Sequence, residues 1–184
     1  MGRREDGKGW PDLLRAFSRA VVRLGVDLDL VTFGVGGISL PAELEGRVKD
    51  LGFLPQDEVG DAYAAAAAYV QPSLYESFSR TIMESWLAGR PVVGIAEGGV
   101  VRHHVQTSEG GFVYDDADEF AEALAVLVNH PHLADEMGAR GREYVLARYQ
   151  WDIVLDGIES NIVEWTPAPA ELLPAAGGQT GGSL

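Results

Sequence analysis

Apolar positions along the chain alternate between two periods. From Trp10 to Leu24, the residues Leu13, Leu14, Phe17, Val21 and Leu24 recur at the spacing of one helix face. Pro11 suits the first turn of that helix and Gly25 the position just past its end. Leu28 to Phe33 then has the character of a strand and runs into the loop Gly34-Val35-Gly36-Gly37. Arg47 to Leu54 is a second strand candidate, ended by Pro55, and Asp57 to Ala67 is a helix by propensity. Ala68 to Gln71 is a short buried strand closed by Pro72. Ser79 to Ala88 is a helix stopped by Gly89 and Pro91. Pro91 to Ala96 is a strand, after which Gly98-Gly99 opens a loop, and Gly111 to Tyr114 is the last short strand. Three helices follow. Phe120, Leu124, Leu127 and Val128 share a face in the first; His132 to Ala147 is the second; Leu155, Ile158, Ile162 and Trp165 mark the third. From Thr166 the sequence is rich in Pro, Ala and Gly, and this tail is expected to be disordered.

Strands alternating with helices predict one α/β domain over residues 1–165, with a parallel sheet covered on both faces. Such sheets bind ligands beyond the carboxyl ends of their strands, near helix N-termini. They usually open with a buried strand, whereas this sequence opens in a charged, glycine-containing loop. The first strand is therefore expected to be missing, leaving an unpaired sheet edge or a gap.

Composition narrows the function. With no cysteine, disulfides, thiolate zinc sites and cysteine nucleophiles are excluded together. The formal charge is 14 − 28 = −14, which argues against a broad nucleic-acid surface. It leaves room for one small anionic ligand held by local cations and helix ends. No apolar run reaches membrane-spanning length and the first residues lack a signal-peptide core, so a cytoplasmic location is expected. Membrane association through other means is not legible.

The segment Pro72-Ser73-Leu74-Tyr75-Glu76-Ser77-Phe78-Ser79-Arg80-Thr81-Ile82-Met83-Glu84 concentrates the chemistry. A strand ends at Gln71, and a helix is expected to start near Ser79, with Ser77 or Ser79 as its cap. Its free N–H groups and positive dipole end form an anion site. Glu76 precedes the helix and Glu84 lies about two turns into it, so two carboxylates flank a place for phosphate. A carboxylate accepts hydrogen bonds from sugar hydroxyls, and the layout suits a sugar–diphosphate–nucleoside.

These residues resemble a known family. Glu76 and Glu84, with seven residues between, match the E-x7-E motif of retaining GT-B glycosyltransferases of the group 1 (family 4) class. Pro-Ser-Leu-Tyr-Glu-Ser-Phe-Ser resembles that family's P-S-x-x-E-G-F-G, with serines in place of its glycines. Glu84-Ser-Trp-Leu-Ala-Gly-Arg-Pro-Val-Val resembles E-A-M-A-x-G-x-P-V-V. Gly98-Gly99 resembles the glycine pair that follows, and Gly2-Arg3 with Lys8-Gly9 resembles G-R-x4-K-G. The resemblance runs from Gly2 to about Trp165. It implies a Rossmann-like, three-layer domain, the donor-binding C-terminal half of a GT-B enzyme. It implies that Arg3 and Lys8 bind the donor diphosphate and that Glu76 contacts the transferred sugar. It further implies that Glu84 holds the ribose hydroxyls, that the backbone at Ser77, Phe78 and Ser79 receives phosphate or sugar oxygens, and that Gly98 and Gly99 complete the site. The implied reaction is sugar transfer from a nucleotide-diphosphate sugar with retention, without cofactor or essential metal. The family's N-terminal acceptor domain is absent from this sequence. The alternatives are therefore a nucleotide-sugar-binding module, a split enzyme needing an acceptor-domain polypeptide, or a fragment; a GT-B epimerase is a further enzymatic alternative.

Other features have plainer readings. His103-His104, and His130 with His132, lack companions at ligand spacing and are expected to be solvated or capping residues. Gly34 to Gly37 is not a dinucleotide fingerprint. The acids Asp115, Asp116, Asp118 and Glu119 suit a helix start. The four tryptophans suit packing rather than sugar stacking.

Overall fold

The structure, a computed structural model, describes residues 8–25, 27–37 and 39–165. The expectations for Arg3 and for the tail from Thr166 lie outside the described residues. The chain divides into two compact units, residues 1–147 and residues 148–184.

In the first unit, helix α1 (Trp10–Leu24) leads to strand β1 (Leu30–Thr32), then to strand β2 (Val48–Asp50) and helix α2 (Gln56–Ala64). Strand β3 (Tyr69–Gln71) precedes helix α3 (Arg80–Leu87), and strand β4 (Val92–Ile95) precedes helix α4 (Gly99–Ser108). Strand β5 (Gly111–Tyr114) and helices α5 (Ala117–Asn129) and α6 (Pro131–Arg148) follow. In the second unit, helix α7 (Trp151–Trp165) carries Trp151, Ile153, Leu155, Ile158 and Ile162 exposed. Among the described residues no helix is long and apolar enough to cross a membrane.

All strand pairs are parallel. β1 pairs with β2, Leu30 opposite Val48, and the ladder β3–β4–β5 sets Tyr69 opposite Val92 and Val92 opposite Gly111. The fold is thus the expected α/β architecture, in two sheet pieces rather than one. The strands are shorter than their apolar runs suggest, because the ends of the second run, at Leu51 and Phe53, are exposed. Helix α1 packs Leu13, Leu14, Phe17 and Ala20 into a core shared with Val93, Tyr114, Phe120 and Leu127. The helix it packs against, α5, starts at Asp116, an N-cap whose carboxylate accepts from the Asp118 and Glu119 N–H groups. The acidic run is thus a helix start, as its pattern predicts.

One helix corrects the sequence reading. The chain after Gly98-Gly99 is not a loop but α4, in which Val101, His104, Val105 and Ser108 are buried. Its β-branched and histidine content gives weak helix propensity, and packing of Val101 and Val105 against the sheet overrides it. Accordingly His104 is a core residue rather than a solvated one, while His103, His130 and His132 are exposed.

Candidate functional site

The carboxyl ends of β3 and β4 and the start of α1 meet at one place, and glycine makes the meeting close. Gly9 has φ +71, and a Cβ there would stand 2.0 Å from the Pro72 carbonyl oxygen. Only glycine lets the first turn of α1 sit on the loop after β3. That contact brings Lys8, 68 residues away in sequence, to Glu76, where its Nζ donates to Oε1 at 2.9 Å. The Glu76 side chain is only 16% exposed, so its ion pair with Lys8 is shielded on the carboxylate side. At Gly98, the N-cap of α4, an added Cβ would stand 3.1 Å from the Ser73 carbonyl oxygen on the other side of the same loop. Gly99 faces open space.

Two helix N-termini therefore converge here, those of α3 and α4. Neither carries an acidic residue in its first turn, so their dipole ends remain receptive to an anion. The first turn of α1 differs: Pro11 lacks an N–H and Asp12 is acidic. Lys8, Glu76, Ser77, Phe78, Ser79 and Arg80 line one end of a cavity of about 630 Å³. Ser77 and Phe78 are exposed and Ser79 is buried.

Ser79 occupies the N-cap position of α3 but does not cap it. Its backbone is left-handed, φ 60 and ψ 64, and its side chain makes no bond to the helix. Instead Ser79 Oγ accepts from Gln71 Nε2 at 2.7 Å. Gln71 is buried at the end of β3; its amide also donates to Thr81 Oγ1 at 3.1 Å, and its carbonyl oxygen accepts from the Ser73 N–H. This one side chain ties together the loop that carries Glu76. A left-handed conformation costs a non-glycine residue about 1–2 kcal/mol. Ser79→Ala keeps that cost and loses the hydrogen bond, whereas Ser79→Gly loses only the bond. Urea denaturation is expected to find Ser79→Ala less stable than Ser79→Gly by about 1–2 kcal/mol; equal stabilities would refute the assignment.

Glu84 is half-buried on α3, and it accepts a hydrogen bond from Tyr63 Oη at 3.3 Å. Glu84 does not line the cavity; Tyr63 and Tyr69 do. Burial is the main cause raising both phenols above their ordinary value. Tyr63 feels Glu84, and Tyr69 feels both Glu76 and Glu84, so the two carboxylates act on one neighbourhood. Tyr63, Tyr69 and Gln71 were not singled out by sequence reasoning. Gln71 alone left a trace there, an amide ending an otherwise apolar strand.

Behind the loop, His104 Nδ1 lies 2.8 Å from Tyr144 Oη, and the His104 ring meets the Phe78 ring edge-on at 5.6 Å. Burial, and secondarily the charge of His103, lower the His104 pKa below its ordinary 6.5, against an opposing hydrogen bond with the Phe78 main chain. Because the folded value is depressed, this contribution to stability is present above pH 6.5 and is lost as pH falls through the folded value. Denaturation midpoints measured from about pH 7.5 down to about pH 5 are expected to fall for the wild type and to fall less for His104→Gln. Parallel declines would contradict this. Among the described residues, no group of three or more His, Asp or Glu is placed to hold a metal ion.

The Lys8–Glu76 pair and the N-termini of α3 and α4 lie beyond the carboxyl ends of parallel strands, where α/β sheets bind their ligands. The chain belongs to the glycosyl transferases group 1 family, whose model matches residues 1–130. It is 29% identical over 163 residues to the lipopolysaccharide core biosynthesis glycosyltransferase LpsE of Rhizobium meliloti, covering 85% of this chain and 46% of that protein. Its fold is similar to that of a variant of TarM from S. aureus solved with fondaparinux, α-GlcNAc-glycerol and UDP. There the TM-score is 0.74 at 19% identity, over 86% of this chain and 34% of that one. It is also similar to the C-terminal domain of the group 1 glycosyl transferase LpcC from Francisella tularensis. In that case the TM-score is 0.65 at 19% identity, over 82% and 84% of the two chains. The chain thus spans less than half of LpsE and most of an isolated C-terminal domain.

Proposed function

We propose that residues 1–165 form the donor-binding domain of a retaining glycosyltransferase, acting on a nucleotide-diphosphate sugar. The observation that carries the reading is the Lys8–Glu76 pair set against the N-termini of α3 and α4. Without ligand, Lys8 neutralises Glu76. An arriving diphosphate competes for the Lys8 ammonium and takes up N–H groups of the two helices, aided by Arg3. Glu76 is then released to accept hydrogen bonds from the hydroxyls of the transferred sugar and to offset positive charge developing at its anomeric carbon. Glu84, oriented by Tyr63, accepts from the ribose hydroxyls. Ser77, Phe78 and Ser79 border the phosphates, and Gly98 and Gly99 keep the approach to α4 free of side chains. Family membership supports the class of reaction, and the UDP in the TarM variant structure supports the class of donor.

Transfer requires an acceptor, and we assign its binding to polypeptide outside these residues, joined to them or separate. The reading is tested by titrating UDP, GDP and ADP into the protein and into Glu84→Ala. A hydrogen bond to a charged group is worth about 1.5–3 kcal/mol. The variant is therefore expected to bind the preferred nucleotide at least ~10-fold more weakly. Unchanged affinity would remove Glu84 from the site.

A further inference from the structure

The loop that carries Glu76 is held from two sides at one peptide unit, that between Phe78 and Ser79. From β3, Gln71 Nε2 donates to Ser79 Oγ at 2.7 Å. From the other side comes His104 of α4, only 5% exposed. Its ring meets the Phe78 ring edge-on, and its Nδ1 lies 2.8 Å from Tyr144 Oη of α6. The same imidazole has a hydrogen bond with the Phe78 main chain that favours the protonated ring, so the imidazole donates and the Phe78 carbonyl accepts. A neutral imidazole has one donor and one acceptor nitrogen. With Nδ1 accepting from the Tyr144 hydroxyl, Nε2–H is the donor to Phe78. Tyr144 is itself fixed, buried with its ring edge-on to Trp86 at 5.7 Å. The series Trp86, Tyr144, His104 thus runs from the core of the domain to a single carbonyl of the loop.

That carbonyl matters because of the N–H at the other end of its peptide. In a trans peptide the C=O and N–H point in opposite directions. Turning the Phe78 carbonyl toward His104 therefore turns the Ser79 N–H away from α4. Ser79 lines the cavity and His104 does not. Among the described residues the Ser79 N–H has no hydrogen-bond partner. Ser79 is also left-handed, φ 60, a conformation that serine does not choose for itself. Its orientation is imposed by the groups around it. We propose that His104, held by Tyr144, is a positioning residue of the donor site: it fixes the Phe78–Ser79 peptide so that the Ser79 N–H faces the donor diphosphate. This rests on the donor-binding reading above and adds to it a residue behind the site. A hydrogen-bond donor aimed in advance needs no reorganisation when the anion arrives. Gln71 and His104 divide the task, Gln71 holding the Ser79 side chain and His104 the carbonyl before it. A leucine at position 104 fills much of the ring's space and leaves that carbonyl unheld. A glutamine there brings an amide N–H to the place of Nε2–H.

The test measures the affinities of UDP, GDP and ADP, and of uridine, guanosine and adenosine, for the 184-residue chain, His104→Leu and His104→Gln. Hydrogen-exchange protection of the Val93 amide in the central strand certifies folding in each. His104→Leu is expected to bind the preferred nucleoside diphosphate at least ~10-fold more weakly while keeping its affinity for the bare nucleoside. His104→Gln is expected to recover most of that loss. The Ser79 amide proton is expected to shift downfield on adding the diphosphate to the wild type and to His104→Gln, and to stay in place in His104→Leu. Equal weakening of nucleoside and diphosphate would assign His104 a merely structural role and overturn the proposal. Should His104→Leu fail to fold, Tyr144→Phe decides: it leaves the imidazole free to turn and is expected to weaken the diphosphate selectively, and unchanged selectivity would overturn the proposal. A wild type that binds no nucleoside diphosphate would overturn the donor reading and the positioning role with it. A wild type that binds one, with His104→Leu binding it equally well, would overturn the positioning role alone.

Discussion

Replacing Trp86 with alanine is expected to cost about 3–5 kcal/mol of stability, a large part of the roughly 5–15 kcal/mol typical of a domain. Trp86 is fully buried on α3, its Nε1 donates to the Gly110 carbonyl at 2.8 Å, and Tyr144 meets its ring edge-on at 5.7 Å. Opposite it, a Cβ on Gly141 would stand 2.1 Å from Trp86 Cδ1. The indole therefore fills a space that α6 leaves by having glycine there, and it links α3 to the start of β5. Truncation opens a cavity and leaves the Gly110 carbonyl without this donor. Gly141→Ala, the reverse change, overpacks the contact and is expected to cost about 1–3 kcal/mol. Combined, the added methyl enters space vacated by the ring, so the double variant is expected to be more stable than the sum of the two losses. Urea denaturation of the three variants checks this, and strict additivity would show that Trp86 and Gly141 do not share one packing site.

The second large effect concerns Glu76. In the polypeptide that carries both donor and acceptor parts, Glu76→Gln is expected to lower kcat by roughly 10²–10³-fold, with nucleoside diphosphate affinity little changed. Glutamine keeps the size and the hydrogen-bonding capacity but removes the charge that, in the proposed function, offsets the cation developing at the sugar. It also leaves Lys8 without its carboxylate partner, which favours rather than hinders diphosphate binding. Lys8→Gln is expected to show the opposite division, weaker diphosphate binding with a smaller effect on the chemical step. Transfer that survives Glu76→Gln unchanged would remove Glu76 from the reaction.

The order of elements was legible because α1, α3, α5 and the strand at Val92 keep one period over their whole length. The positions of Glu76 and Glu84 were legible for the same reason: one lies in the loop between β3 and α3, the other within α3. Helix α4 was not, since valines and histidines form a helix there only through Val101 and Val105 packing on the sheet. Ser79 was legible as a helix start but not as a left-handed residue held by Gln71, since that bond joins residues whose approach depends on the loop closing. The contact of Gly9 with Pro72 is equally non-local; the sequence marks Lys8 and Gly9 as a motif, and the structure supplies the reason the glycine is needed there.

The most direct test of the account is calorimetric titration of UDP-, GDP- and ADP-sugars into the 184-residue chain, with the Val93 amide reporting that it is folded. The account predicts that one nucleotide class binds, with Lys8→Gln weakening it. Folded protein that binds no nucleotide sugar would contradict the donor site.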